Sequence, residues 1–350
     1  TIGQRKGLNV GGTGKPLFVI ATDTTENIIY TGLSEDHPGL LRHGLHVKKD
    51  DIHWIRPDKT LKVGETATYL ARIRYRQPLS TATLLMREDG LYVLFDNAQR
   101  GIASGQFIRM VQLPIIFEDE EYIAINKPAG VLVHKTPLEK DPEALFAVQL
   151  LEEQVGYKVY PMHRIDRPTT GVLLFGKSSR AASMLQPQFF DNSIKKYYLA
   201  ILRGYLPESH GIIDHPLAKD MEFVLQEART EYWELGSSEI PYASSGRYST
   251  SRYSLAKIYP HTGRMHQIRR HFAHLRHYII GDTTHGDNRQ NKFFARQFDL
   301  ANMLLHAWQL DFTQPFTKQA LTISAVVPVH FEKTMNQLNL SIKELRSTTI

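Results

Sequence analysis

Asp166 is the carboxylate whose surroundings most invite chemistry. It stands within His163-Arg-Ile-Asp-Arg-Pro-Thr-Thr-Gly171, between two arginines and just before a proline. The proline disfavours helix at that point and holds the carboxylate in an irregular loop ahead of the apolar run Gly171–Gly176. Cationic neighbours keep a carboxylate ionised at neutral pH, as a nucleophile or general base requires. Taken alone, the block reads first as a structural salt bridge.

Other chemical signals are weaker. Gly11-Gly-Thr-Gly-Lys15 has the composition of a phosphate loop but not the spacing. Asn9 stands where the first glycine is required, and Pro16 where Ser or Thr would hold magnesium, so a glycine-rich turn is expected. No Gly-x-Ser-x-Gly elbow supports a serine hydrolase. His266, His271, His274 and His277 include i,i+3 neighbours on a helix. Without a His-Glu-x-x-His pattern or a carboxylate at matching spacing, they read as surface or RNA-facing histidines, and no metal is expected. Arg72, Arg74 and Arg76 alternate with Ile73 and Tyr75. On a strand they would line one face, suited either to a phosphate backbone or to solvent.

The elements that must position these residues fall into two parts. From Thr1 to about Val111 the chain shows short β-type runs and no convincing helix. Leu17–Ala21 and Ile28–Thr31 flank the polar turn Asp-Thr-Thr-Glu-Asn, as in a hairpin. Ala67–Tyr75 alternates, Leu91–Phe95 is apolar, and Glu88-Asp-Gly90 punctuates the turn between them. This pattern predicts a small antiparallel barrel or sandwich for residues 1–111. From 112 to 350 the periods mix. Strands are expected at Ile115–Phe117, Tyr122–Ile125, Gly171–Gly176, Tyr197–Leu202, Arg252–Tyr259 and Ala320–Val327. Helical spacing marks Pro142–Val155, a segment capped by Ser178 or Ser179 and running through Leu185, and Arg264–Leu275. The fold class is therefore α+β, with a mainly antiparallel mixed sheet flanked by helices.

Composition bounds the function. The chain has 350 residues, 42% hydrophobic and 22% charged, enough for two or three globular units with real cores. Cysteine is absent, which removes disulfides, thiolate nucleophiles, Cys-bound zinc and iron–sulfur clusters. Net charge is +6, permissive of nucleic acid without proving it. No apolar run approaches the ~20 residues of a membrane-spanning helix, and no secretory leader is visible. A cytoplasmic location is expected. Thr in place of Met at position 1 points to truncation.

The Asp166 block does not stand alone. Lys127-Pro-Ala-Gly-Val-Leu-Val-His134 precedes it, and Lys196-x-Tyr198-Leu-Ala-Ile-Leu-Arg-Gly204 follows. Then come Thr262-Gly-Arg-Met-His-Gln-Ile-Arg-Arg-His271 and Ile280-Gly-Asp282. This ordered set resembles the RluA-type pseudouridine synthases over about Ile115–Leu338. His274-Leu-Arg-His277 and Gly281-Asp-Thr-Thr-His-Gly-Asp287 look most like the branch that modifies tRNA. Ile165 replaces the usual Leu, and Thr170 the usual Ser. In the first part, Thr1-Ile-Gly-Gln-Arg-Lys-Gly-Leu8, Asp36-His-Pro38, Arg74-Tyr-Arg-Gln-Pro78 and Ser104-Gly-Gln106 resemble the C-terminal region of tRNA 2-thiouridylases. That resemblance implies a β-barrel able to contact RNA. The nucleotide loop and both catalytic cysteines of that family are missing, so thiolation by this chain is not expected.

The synthase resemblance implies isomerisation of a uridine in RNA, without metal, nucleotide or redox cofactor. The C1′–N1 bond breaks, the uracil turns, and C1′ joins C5. Asp166 would be the catalytic carboxylate, acting covalently or by taking a sugar proton. The base must be flipped into a pocket. Arg164 would fill the vacated space, Tyr198 stack on the uracil and assist the deprotonation at C5, Arg269 pair with Asp166, and Ile268 pack in the pocket. On a helix, Ile268 and Arg269 point about 100° apart, consistent with that division. Arg264 is a weaker candidate for a phosphate contact, while Lys127, His163 and Gln267 would shape the site. The implied partner is tRNA, with nucleotide sixty-five in the T stem as first target. The alternatives are a synthase of ribosomal RNA and a non-catalytic RNA-binding protein that keeps the fold.

Overall fold

The computed structural model describes residues 2–341 except 6–7, 9–11, 54–59, 74–79, 104–107, 136–140, 142–143, 220–223, 245 and 247. The chain divides into two units, the first carrying Thr1–Gln112 and the second Leu113–Lys140, Ala144–Glu152 and Tyr157–Ile350. Two short stretches, Asp141–Glu143 and Glu153–Gly156, group with the first.

In the first unit, β1 (Leu17–Asp23) and β2 (Ile28–Leu33) form the expected antiparallel hairpin. Its turn is held by Asp23, whose Oδ1 accepts the N–H groups of Thr25 and Glu26 at 2.9 and 3.0 Å. A five-stranded antiparallel sheet follows, built from β3 (Leu41–Lys48), β4 (Thr66–Arg72), β5 (Ser80–Arg87), β6 (Gly90–Arg100) and β7 (Arg109–Val111) in the order β3-β6-β5-β4-β7. Every second residue of β5 (Ala82, Leu84, Met86) and of β6 (Leu91, Val93, Phe95) is buried in one cluster, as a one-sided sheet demands. Gly90 turns the β5–β6 hairpin at φ 148°, and a side chain there would strike the Val47 carbonyl. The described pairings form a path with two free ends at β3 and β7. Arg72 closes β4 and is only 8% exposed, so it is not part of a solvent-facing row. Arg74 and Arg76 lie outside the described residues.

The second unit is α+β. It runs β8 (Ile115–Glu118), β9 (Tyr122–Lys127), α1 (Ala147–Val155), β10 (Tyr160–Pro161), β11 (Thr170–Gly176), α2 (Ser179–Phe190), β12 (Lys195–Arg203), β13 (His210–Asp214), β14 (Leu217–Ala218), β15 (Leu225–Gln226), β16 (Arg229–Ile240) and β17 (Ser251–Pro260). Then follow α3 (Gln267–His274), α4 (Asn288–Phe298), β18 (Leu305–Thr313), β19 (Ala320–Ser324) and α5 (Val329–Gln337). Ten strands make one sheet, ordered β13-β16-β17-β12-β18-β11-β9-β8, with β10 on β11 and β19 on β18. All pairings in it are antiparallel except β11 with β18.

Both faces of the central strands are covered. Leu199 and Ile201 of β12 pack with α4 and α5, whereas Ala200 and Leu202 pack with α3 on the opposite face. That double burial explains why β12 reads as an apolar run rather than an alternation. Among the described residues no helix is long and apolar enough to cross a membrane.

Two helices start later than their spacing predicts. Helix α1 begins at Ala147 rather than Pro142, because Phe146 bridges Leu132 and the Leu145 carbonyl accepts the Leu132 N–H at 2.9 Å. Helix α3 begins at Gln267 rather than Arg264, because His266 takes a left-handed conformation at φ 51°. Ser178 caps α2 as expected, accepting the Ala181 N–H at 3.0 Å.

Candidate active site

The Asp166 loop joins β10 to β11 at the one point where the sheet pairs in parallel. Gly171 lies directly against Ala307 of β18, at φ 115°, and a Cβ there would collide with the Ala307 carbonyl. Next to it the Thr170 hydroxyl meets His306 Nδ1 at 2.8 Å. His306 Nε2 faces the Ala325 carbonyl at 3.1 Å and so carries the proton; Thr170 therefore donates to Nδ1. Burial pushes His306 down to about 4, in keeping with a neutral ring.

Lys127, at the end of β9, ties this loop from the other side. Its ammonium is 0% exposed and donates to the carbonyls of Pro128, Val131 and Arg167 at 2.9, 2.8 and 3.2 Å. The Gly130 N–H donates to the same Arg167 carbonyl at 2.9 Å, and Arg167 Nε returns to the Gly130 carbonyl at 3.2 Å. Burial lowers Lys127 to about 7, against the opposing pull of Asp166.

Arg269 supplies the electrostatic anchor. It is 3% exposed, and its Nη1 donates to Asp166 Oδ2 at 3.0 Å. Its Nε and Nη2 form a fork onto Asp282, at 2.8 Å each. Asp282 is 1% exposed and also accepts the N–H groups of Thr284 and His285 at 2.9 and 3.0 Å. Burial alone would raise the Asp282 carboxyl; the Arg269 hydrogen bonds and the two N–H donors overcome it and hold it below the ordinary range.

A cavity of about 120 Å³ opens beside this pair. Its wall includes Arg164, Asp166, Tyr198, Ile268 and Arg269, so all five residues singled out in the sequence meet at one place. Tyr198 reaches it from β12, where a register shift against β18 falls between Tyr197 and Tyr198. Burial, and then the Asp166 charge, push the Tyr198 phenol up, so it stays protonated. Ile268 belongs to the apolar cluster under α3, while Arg164 is exposed at the rim. Arg264 also lines the cavity, with its Nε on the Glu227 carbonyl at 3.0 Å.

The supporting residues have specific partners. Gln267 Oε1 accepts from Thr262 Oγ1 and the Arg264 N–H, and its amide donates to the Arg229 carbonyl and Thr230 Oγ1. His163 Nε2 accepts the Leu174 N–H at 3.2 Å. His271 is a core residue rather than a surface one: it is 0% exposed, with Thr230 Oγ1 at 2.9 Å and the His215 carbonyl at 3.0 Å. His277 Nδ1 likewise meets the Arg203 carbonyl at 3.0 Å. Sequence reasoning assigned no role to Asp282 or His285, and read His266 only as a surface or RNA-facing histidine. His266 Nδ1 lies 2.9 Å from His285 Nε2, and His266 Nε2 lies 4.0 Å from Asp166 Oδ2. The Gly281–Asp287 block was the available signal, but only the fold shows that it backs Arg269.

Comparison with known proteins gives the family. Residues 121–274 match the family described as RNA pseudouridylate synthase. Residues 43–111 match an aminomethyltransferase beta-barrel domain and residues 1–33 a tRNA methyl transferase PRC-barrel domain. The chain is 45% identical over 227 residues to tRNA pseudouridine synthase C of Vibrio parahaemolyticus, covering 62% of this chain and 91% of that protein. The protein of the same name from Haemophilus ducreyi is 45% identical over 236 residues, covering 65% and 96%. The solved structure of human RNA Pseudouridylate Synthase Domain Containing 4 shares the fold, with a TM-score of 0.50 and 24% identity over 65% of this chain and 94% of that one. The chain therefore belongs to the RNA pseudouridylate synthase family.

Proposed function

We propose that this protein isomerises a specific uridine of tRNA to pseudouridine, with Asp166 as the catalytic carboxylate. The observation that carries the reading is the Asp166–Arg269 contact of 3.0 Å on the wall of a cavity. A buried guanidinium locked by Asp282 presents one remaining nitrogen to Asp166, and so sets where its carboxylate stands. The relatives named above supply tRNA as the substrate class, and nucleotide sixty-five is the first target to examine.

The chemistry needs a carboxylate beside the sugar. As the C1′–N1 bond breaks, positive charge develops at C1′, and Asp166 either traps that carbon or removes a sugar proton. The freed uracil turns in the cavity and presents C5 to C1′. Reaching the base requires flipping it from its stack. Arg164, exposed at the rim, takes the place left in the RNA, Tyr198 stacks on the uracil, and Ile268 gives the pocket its apolar wall. Arg269 holds Asp166 throughout. The first unit, read as a thiouridylase-type β-barrel, adds surface for the RNA.

The test is pseudouridine mapping by carbodiimide-blocked primer extension on unmodified tRNA transcripts. One new stop with the wild-type protein, absent with Asp166→Asn, is expected. A stop that appears only on ribosomal RNA would change the substrate. Binding without any stop would leave an RNA-binding protein that keeps the fold.

A further inference from the structure

When the C1′–N1 bond breaks, its electron pair leaves with the uracil. The charge spreads from N1 over O2 and O4, whichever way Asp166 acts on the sugar. Turning the base about its N3–C6 axis exchanges N1 with C5 and O2 with O4. The ring position across from the sugar bond thus always carries a carbonyl: C4=O opposite N1 before the turn, C2=O opposite C5 after it. A cation beyond that edge meets an anionic oxygen in both orientations. The residues given roles above supply none there, since Arg269 is committed to two carboxylates and Arg164 stands at the rim.

Lys196 lines the same cavity as Asp166 and Tyr198. It stands two residues before Tyr198 on β12, so the two side chains leave the same face of the sheet. The register fixes their order. Tyr198 pairs with Ala307, which lies against Gly171 at the end of the Asp166 loop. Lys196 pairs with Leu310, about 7 Å farther along β12. Asp166 marks one end of this row and Lys196 the other, with Tyr198 between them.

No side chain neutralises this half-buried ammonium. Among the described residues Lys196 makes no ion pair and no side-chain hydrogen bond; its neighbour is the Phe189 ring, with Nζ 5.9 Å from the centroid. Phe189 in turn stacks on His163 at 5.7 Å. His163 offers the lysine no acceptor, because the Leu174 N–H takes its Nε2 and the ring proton is therefore on Nδ1. Burial, and then the Lys196 charge, push His163 down to about 3, so the ring stays neutral. Burial lowers Lys196 too, with no carboxylate to offset it. A cation kept in such a place has its N–H donors left over for a ligand.

We propose that Lys196 is a catalytic cation that receives the negative charge of the departing uracil, at the carbonyl opposite the sugar bond. The inference rests on the pseudouridine synthase reading of this site. With Asp166 at the sugar and Tyr198 on the ring face, that carbonyl lies at the Lys196 end of the row. The step balances within the substrate. The C1′–N1 bond breaks and both electrons go to N1, shared with O2 and O4. C1′ gains a bond to Asp166, or a C1′=C2′ double bond as the C2′ proton passes to Asp166. Lys196 donates a hydrogen bond to the anionic oxygen and keeps its own proton. The charge on the base disappears when C5 bonds to C1′.

The experiment compares wild type and Lys196→Met in single-turnover reactions at saturating tRNA, on transcripts made with uridine or with 5-fluorouridine. Fluorine at C5 draws electrons from the ring and stabilises the departing anion by itself. Loss of the starting nucleoside after digestion reports the reaction on both transcripts. Lys196→Met should bind tRNA as wild type does and react about 10²-fold more slowly on uridine, as when one donor to a developing anion is removed. Its deficit should be smaller on 5-fluorouridine. A Lys196→Met rate close to wild type would overturn the proposal. So would an equal deficit on both transcripts, since that is the mark of a structural role. Weaker binding with a salt slope shallower by about one and an unchanged saturated rate would also overturn it, and make Lys196 a phosphate contact. Should Lys196→Met not fold, Lys196→Gln is read in the same way. Absence of pseudouridine with the wild-type protein would instead overturn the underlying reading, and is recognised because no variant is involved.

Discussion

Asp282 accepts two hydrogen bonds from Arg269, each 2.8 Å long, and leaves that arginine a single nitrogen for Asp166 at 3.0 Å. The order of burial fits this arrangement. Arg269 and Asp282 are almost fully enclosed, whereas the Asp166 side chain is 26% exposed and open to the cavity. The inner pair is thus the fixed point, and the outer carboxylate is the one free to meet substrate.

Replacing Asp282 with Asn should therefore damage both stability and activity. The amide keeps one acceptor oxygen but turns N–H donors toward a guanidinium that has only donors, so buried Arg269 loses the charged half of its fork and keeps only Asp166, at a cost of about 3–5 kcal/mol. Loss of orientation at Asp166 should slow pseudouridine formation by about 10²-fold. Urea denaturation and single-turnover rates measure the two effects. The pH dependence adds a signature. The folded pKa of Asp282 is depressed, so its contribution is fully present above the unfolded value of about 3.9 and is lost as pH falls through the folded value. Wild type should lose stability on acidification below about pH 4, and Asp282→Asn should lack that component of the loss.

What could be read in the sequence followed from short-range rules. The β1–β2 hairpin announced itself through Asp23 and its polar turn, and the α2 start through Ser178. The joining of Arg269 to Asp166 spans 103 positions, and no local rule reaches that far. Family resemblance suggested that pair, but the His285–His266–Asp166 alignment emerges only in three dimensions. His271 illustrates the converse failure. A histidine-rich helix looks solvent-facing, yet Thr230 and the His215 carbonyl satisfy both of its ring nitrogens within the core. The helix starts were misjudged because local spacing does not register a tertiary bridge at Phe146 or a left-handed residue at His266.

Lys127 yields a prediction in the alkaline range. Burial holds its folded pKa at about 7, against about 10.4 in the unfolded chain. Between those values the unfolded state binds more protons than the folded one. Stability should accordingly rise with pH from about 7 to about 10, at up to about 1.4 kcal/mol per pH unit from this residue. Lys127→Met removes the titrating group and should flatten that rise in urea midpoints measured across the range. It also leaves the carbonyls of Val131 and Arg167 without this donor, so activity should fall as the Asp166 loop loosens.

Removing residues 1–111 should separate binding from chemistry. The buried clusters beneath α2, α3, α4 and α5 are composed wholly of second-unit residues, so the remaining chain keeps its own cores. Every residue assigned to the site lies between Lys127 and His285. Charge is distributed differently: fifteen Lys and Arg against eleven Asp and Glu precede Leu113, and twenty-seven against twenty-five follow. The first unit thus carries most of the net positive charge of +6, the property that draws a polyanion. The truncated chain should bind tRNA more weakly, by about three- to tenfold near physiological salt, with a shallower dependence of affinity on salt. At saturating tRNA its rate of pseudouridine formation should stay close to that of the full chain. Filter binding across a salt series and single-turnover kinetics make the comparison. Unchanged affinity and salt slope would remove the first unit from RNA contact, and an insoluble or inert fragment would make its role structural.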